Sequence, residues 1–382
     1  MAIIEVSRMT IFGCINLLTS AVRGLAMVSL WMHLHGMWTH SASRLGGEPL
    51  AFKVTSVIDP PIVEVCMRWV VLLALVGCDD GSILEPDTDG SDSGTEVGDT
   101  DTDSMVDVDT NDDTDIEVDT DTPVSNVNYE ASGPLPLTES DGSLTLTGCA
   151  LEYTMYTPSG GASAPLVVLG HGFSRTKAQM VDVARHIAGH GLRVVTPSYC
   201  FSGFLNADHA RNGEDAADLS VALAAGADVV HIGFSAGGAS AFVAASDDPG
   251  AVGVFGLDMV DTDGTNIAND AAQSLTIPVF GVVGDSNQCN STNNGVPAYS
   301  TASMGAAVRV PGATHCDFEG PTGFTCTAFC GGENAAQKVT ARALASAFAA
   351  WVTDVDPGAN AWLEPGGDAY DDLIAGGDIA PL

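Results

Sequence analysis

Basic residues are scarce in this chain of 382: 13 Lys and Arg stand against 49 Asp and Glu, a formal charge of −36. A polyanionic backbone or an anionic lipid surface would be repelled by such a protein, which excludes nucleic-acid binding and electrostatic membrane binding as its business. The deficit is extreme between residues 79 and 122, where 18 acidic residues occur with no Lys or Arg (GDTDTDSMVDVDTNDDTDIEVDTDTP). With so few apolar groups to offset backbone entropy, and with like charges extending the chain, this stretch reads as a solvated spacer. Its Asp-x-Asp pairs lack the spaced ligand loop and closing Glu of a calcium array. Also lacking is a His pair to accompany Cys326-x3-Cys330, which argues against a zinc site.

A long uninterrupted apolar run is missing as well. Ile11 to Leu34 (IFGCINLLTSAVRGLAMVSLWMHL) comes nearest and is the rival reading of the upstream region, a membrane segment, although Arg23 at its centre is costly in a bilayer. Met67 to Cys78 (MRWVVLLALVGC) has one positive residue, an apolar run too short to span, and small residues before a cleavage point, the pattern of a secretory signal. Its ending, Leu75-Val76-Gly77-Cys78, resembles the lipobox of bacterial lipoproteins. The resemblance implies a lipid on Cys78, export to the periplasm or cell surface, and a membrane tether formed by the acidic stretch. The expected organisation is then 1–66 a misassigned upstream region, with the true start at Met67, 67–78 a signal peptide, 79–130 a linker and 131–382 one catalytic domain. The other six cysteines, Cys149, Cys200, Cys289, Cys316, Cys326 and Cys330, are an even set in an exported domain and point to disulfides of unspecified pairing.

What is present from about residue 144 is an alternation of apolar, strand-like runs with helix-like ones. Strands are expected over 144–157, 165–170, 192–197, 229–234, 252–259, 277–283 and 306–310. Helices are expected over 178–189, 215–225, 237–246 and 333–352. Such alternation implies an α/β fold with a mostly parallel sheet covered on both faces. The glycine- and acid-rich tail after about 353 has no clear placement.

Within that frame, Gly233-Phe234-Ser235-Ala236-Gly237 joins an apolar strand to a small-residue helix. In so sharp a turn the side chains two positions either side of the centre would collide with strand and helix, and glycine relieves both collisions. Ser235 would stand at a helix N-terminus, where the dipole favours a developing anion. Serine is a weak nucleophile without a base, and His315 is the only histidine after residue 232. Asp285, following the strand IPVFGVVGD, is the expected acid, with Asp258 and Asp261 after the preceding strand as alternatives. The backbone N–H groups of Ala236 and Phe173 are the expected oxyanion donors. The Phe173 ring would wall the site, and His171 is read as structural.

These motifs, GHGF (170–173), GFSAGG (233–238), VVGDSN (282–287) and GATHCDF (312–318), resemble the α/β-hydrolase superfamily. Within it the chain is most similar to the compact lidless branch of cutinase-like polyester hydrolases, chlorophyllases and dienelactone hydrolase relatives. The resemblance implies a monomeric serine hydrolase cleaving small or polymeric carboxylic esters through an acyl-enzyme, with a Ser235, His315, Asp285 triad and no cofactor or metal. It also implies a disulfide between the acid and histidine loops, Cys289 to Cys316. A hydrolase scaffold retained as a non-catalytic binding module is the alternative.

Overall fold

The computed structural model describes residues 125–261 and 265–382. The upstream region, the signal segment with Cys78 and the acidic stretch to residue 124 lie outside the described residues. Among the described residues, no helix is long and apolar enough to cross a membrane.

Among the described residues, nine strands form one sheet in the order β1-β2-β4-β3-β5-β6-β7-β8-β9. A hairpin of β1 (Leu137–Leu146) and β2 (Cys149–Pro158) makes one antiparallel edge. The centre is parallel: β3 (Leu166–Gly170), β4 (Arg193–Ser198), β5 (Val229–Phe234), β6 (Ala251–Leu257), β7 (Val279–Val283) and β8 (Gly305–Arg309). The α/β class read from the sequence is what is observed.

Strands buried on both faces call for near-continuous apolar runs, and β3 and β5 supply LVVLG and VVHIGF, wholly buried, with the polar His231 of β5 held by Asp248 at 2.9 Å. Alternate residues serve opposite faces. Val167 and Leu169 pack with α1 (Val181–Gly189) and with α7 (Ala335–Val352). Leu166 and Val168 pack with α2 (His209–Ala224). On that second face α3 (Ala236–Asp247), α4 (Ile267–Ala272) and α5 (Val296–Thr301) cover β6 and β7. The other α-helices among the described residues are α6 (Phe324–Cys330) and α8 (Asp368–Gly376).

Several departures from the sequence reading have simple causes. Helix α2 begins at His209, ahead of the expected 215, because Asp208 caps it by accepting from the Arg211 N–H. The tail is packed: Trp362, Leu363, Tyr370 and Leu373 are buried, and Ala380–Pro381 adds antiparallel strand β9 beside β8. Residues read as the end of the linker are also held. Tyr129 is buried, edge-on to Trp362, and donates to Asp356 Oδ2 at 2.9 Å.

The disulfides are Cys149–Cys200, Cys289–Cys330 and Cys316–Cys326. The expected Cys289 to Cys316 bridge is therefore corrected. Both cysteines pair instead with α6, which buries only Cys326 and presents Phe324 and Phe329 to solvent. A helix with so little core contact is held by covalent closure, each bridge being worth about 2–4 kcal/mol.

Candidate active site

Ser235 sits where β5 turns into α3, at φ 55° and ψ −130°. A non-glycine residue holds such angles only when its surroundings impose them. The Ser235 N–H donates to Leu257 O at 2.9 Å, and its carbonyl accepts from Gly238 N at 2.9 Å and Val260 N at 3.1 Å. The flanking glycines are sterically required. A Cβ at Gly233 would lie 2.0 Å from Gly237 O, and one at Gly237 would lie 2.3 Å from His171 O.

Three side chains form one hydrogen-bonded line. Ser235 Oγ lies 2.9 Å from His315 Nε2, and His315 Nδ1 lies 2.6 Å from Asp258 Oδ2. Nδ1 donates to the carboxylate, which leaves Nε2 to accept from the serine hydroxyl. All three are buried. His315 opens a short 3-10 turn (His315–Phe318) after β8, and its ring tilts against Phe234, 4.7 Å between centroids.

Asp258 follows β6, so the acid comes one strand earlier than expected. The remaining oxygen of Asp258 accepts from Gly284 N at 2.9 Å and from Asn290 Nδ2 at 3.3 Å. Asp285, after β7, does not meet the histidine. Its carboxylate takes Arg309 Nη1 at 2.8 Å and Gly312 N at 3.0 Å, with half of the side chain in solvent. Asp261 accepts from the Ala268 and Asn269 N–H groups at the start of α4. Asn290, wholly buried and bonded to both Asp258 Oδ1 and Asp285 O, was not expected from sequence. Its only signal is its place in an Asn-rich loop after a strand.

The loop after β3 passes directly over the serine. A Cβ on Gly172 would come 2.9 Å from Ser235 Cβ. His171 fastens this loop: its Nε2 accepts from Tyr199 N at 2.9 Å and its Nδ1 donates to Gly172 O at 2.8 Å. Burial depresses its pKa to about 4, so the ring is neutral, in keeping with the structural reading. Phe173 follows in this loop and Ala236 opens α3; neither N–H finds an acceptor among the described residues.

Ser235 and His315 open onto a cleft of about 570 Å³ whose walls include Phe173, Phe204, Val260 and Phe329. Phe204, Leu205, Phe324 and Phe329 are strongly exposed on or beside it. Asp285 lines an adjoining depression of about 370 Å³, which shares Cys289, Phe329 and Cys330 with the cleft but does not reach Ser235. The sulfurs of Cys316, Cys326 and Cys330 lie within 4.8 Å of one another, but all three are consumed in disulfides and offer no thiolate to a metal.

No protein-family model matches the chain, and no curated protein matches it.

Proposed function

We propose that the domain is a serine hydrolase of the α/β-hydrolase fold, cleaving carboxylic esters through an acyl-enzyme. One observation carries this reading: a serine on a strained strand-to-helix elbow, hydrogen-bonded to His315, which is itself hydrogen-bonded to buried Asp258. Strain of this kind is maintained where a hydroxyl must be presented, and a merely structural serine has no use for the rest of the line.

Ser235 Oγ attacks the ester carbonyl as its proton passes to His315 Nε2. The imidazolium so formed is stabilised by the Asp258 carboxylate across Nδ1. The developing oxyanion is taken by the Phe173 and Ala236 N–H groups, with the positive end of α3 beneath it. His315 returns the proton to the leaving alcohol. A water, deprotonated by the same ring, then releases the acid. The rings of Phe173, Phe204 and Phe329 give the cleft an apolar wall suited to the hydrocarbon part of an ester. The lipobox resemblance at Leu75 to Cys78 adds the proposal that this domain is exported and held at a membrane by a lipid on Cys78.

The test is turnover of p-nitrophenyl esters of graded acyl length by the full-length protein beside Ser235→Ala. The expected result is hydrolysis by the wild type that falls at least 10³-fold in the variant. Equal rates in a folded variant would sink the assignment.

A further inference from the structure

The cleft has one strongly basic side chain beside its phenylalanine walls. Among the described residues lining it, Arg175 is the only Lys or Arg, in a chain with 13 such residues against 49 acids. The loop after β3 places it there. Ser174 takes φ 55°, the Ser174 N–H donates to Ser202 O at 2.7 Å, and the Arg175 N–H donates to Gly172 O at 3.2 Å. The guanidinium thus hangs from the same loop that carries the Phe173 N–H.

Arg175 Nε donates to Glu319 Oε2 at 2.8 Å. The other guanidinium N–H groups find no acceptor among the described residues, and the buried Glu319 Oε1 is likewise without a partner. An arginine and a carboxylate frequently close as a two-pronged fork that occupies both oxygens. This pair uses one N–H and one oxygen. Both NH₂ groups therefore remain free on a side chain that is 17 % exposed and lines the cleft. Two carboxylates stand nearby, Asp258 behind His315 and Asp261 in the cleft wall, where it accepts from the Ala268 and Asn269 amides. The His209 ring also lines the cleft, its pKa lowered by burial, and Lys338 is close enough to act on the Glu319 carboxylate. Arg175 is the permanent positive charge among the described lining residues, and so the group there that attracts an anion.

We infer that Arg175 is a specificity-determining residue selecting esters that carry a carboxylate, such as monoesters of dicarboxylic acids. The carboxylate sits on the two NH₂ groups, the methylene chain lies against the phenylalanine rings, and the ester faces Ser235. This inference rests on the hydrolase reading above. It adds a charge to the substrate that the apolar cleft alone would not specify.

The experiment compares two substrates of equal chain length, mono-p-nitrophenyl glutarate and p-nitrophenyl pentanoate, with the full-length protein, Arg175→Lys, and the charge-neutral double variant Arg175→Gln/Glu319→Gln, chosen to spare the fold a lone buried carboxylate. In the double variant the ratio of kcat/KM for the acid over the neutral ester should fall at least tenfold, mainly through KM. Arg175→Lys should retain part of the preference, and about 1 M salt should erode it in the wild type and in Arg175→Lys but not in the double variant. If both substrates decline together with the ratio unchanged, Arg175 merely ties the loop to Glu319 and the inference is overturned. If the wild type cleaves the neutral ester with no dependence on charge, the inference fails while the hydrolase reading stands. If it cleaves neither, both fail.

Discussion

Asp258 and Asp285 end neighbouring parallel strands, and each begins a loop at the same edge of the sheet. Asp258 is buried, its backbone at φ 43°, with His315 on one oxygen and Gly284 and Asn290 on the other. Asp285 stands half in solvent and pairs with Arg309 on the adjacent strand's end. Two residues alike in type, strand context and chain order thus differ in backbone conformation and environment. A carboxylate that must hold an imidazolium needs low dielectric and saturated lone pairs, and one loop supplies both. The Arg309 pair across the neighbouring loop is an exposed surface contact, of a kind worth about 0–1 kcal/mol.

The largest expected consequence is in the acid itself. Asp258→Asn keeps the shape but favours the wrong histidine tautomer, and kcat on p-nitrophenyl butyrate should drop about 10⁴-fold. A drop of that size in Asp285→Asn instead would reverse the assignment.

The contrast between buried and exposed groups extends to acid stability. Burial lowers the pKa of His171 and of His186 to about 4 from 6.5. The unfolded chain binds protons at these sites between those values and the folded chain does not, so stability is present above about pH 6.5 and is lost as pH falls toward 4. Each site contributes up to ~3 kcal/mol to that loss. Thermal unfolding followed from pH 7.5 down to 4.5 should show a steep fall in Tm; a flat profile would contradict the buried, neutral assignment.

Smaller effects sharpen the same comparison. Asn290→Ala removes one of the donors to Asp258 Oδ1 and should lower kcat/KM by about fivefold to tenfold, an effect of ~1 kcal/mol. No change would mean that the Gly284 N–H alone suffices. Asp285→Asn should alter kcat/KM by less than about twofold and stability by less than ~1 kcal/mol, read by steady-state kinetics and denaturant midpoint.

The fold was legible where physics leaves little choice. Strand β3 is a continuous apolar run and β5 nearly so, broken by His231, because both faces are covered, and the long alanine-rich α7 repeats at helical spacing. The elbow was legible for a steric reason, since Gly233 and Gly237 have no room for a Cβ. His315 followed from the lack of any competitor downstream.

The acid was not legible as a choice. Asp258 and Asp285 both follow apolar strands, and what separates them is His315, which the folded loop after β8 brings to the Asp258 carboxylate while Asp285 turns to Arg309 and Gly312. The disulfide partners were hidden for the same reason: Cys326 and Cys330 share one helix, whose position decides that Cys316 and Cys289 meet it and not each other. The tail escaped placement because its acidic and glycine residues masked Tyr370 and Leu373, whose helical spacing buries them together.

The most direct measurement is covalent labelling of the full-length protein with a fluorophosphonate, followed by peptide mass mapping of the wild type and Asp258→Asn. A Ser235, His315, Asp258 triad predicts a single adduct on Ser235, formed at least 10³-fold more slowly in the variant. No adduct, an adduct on another serine, or equal labelling rates in the two proteins would contradict the account.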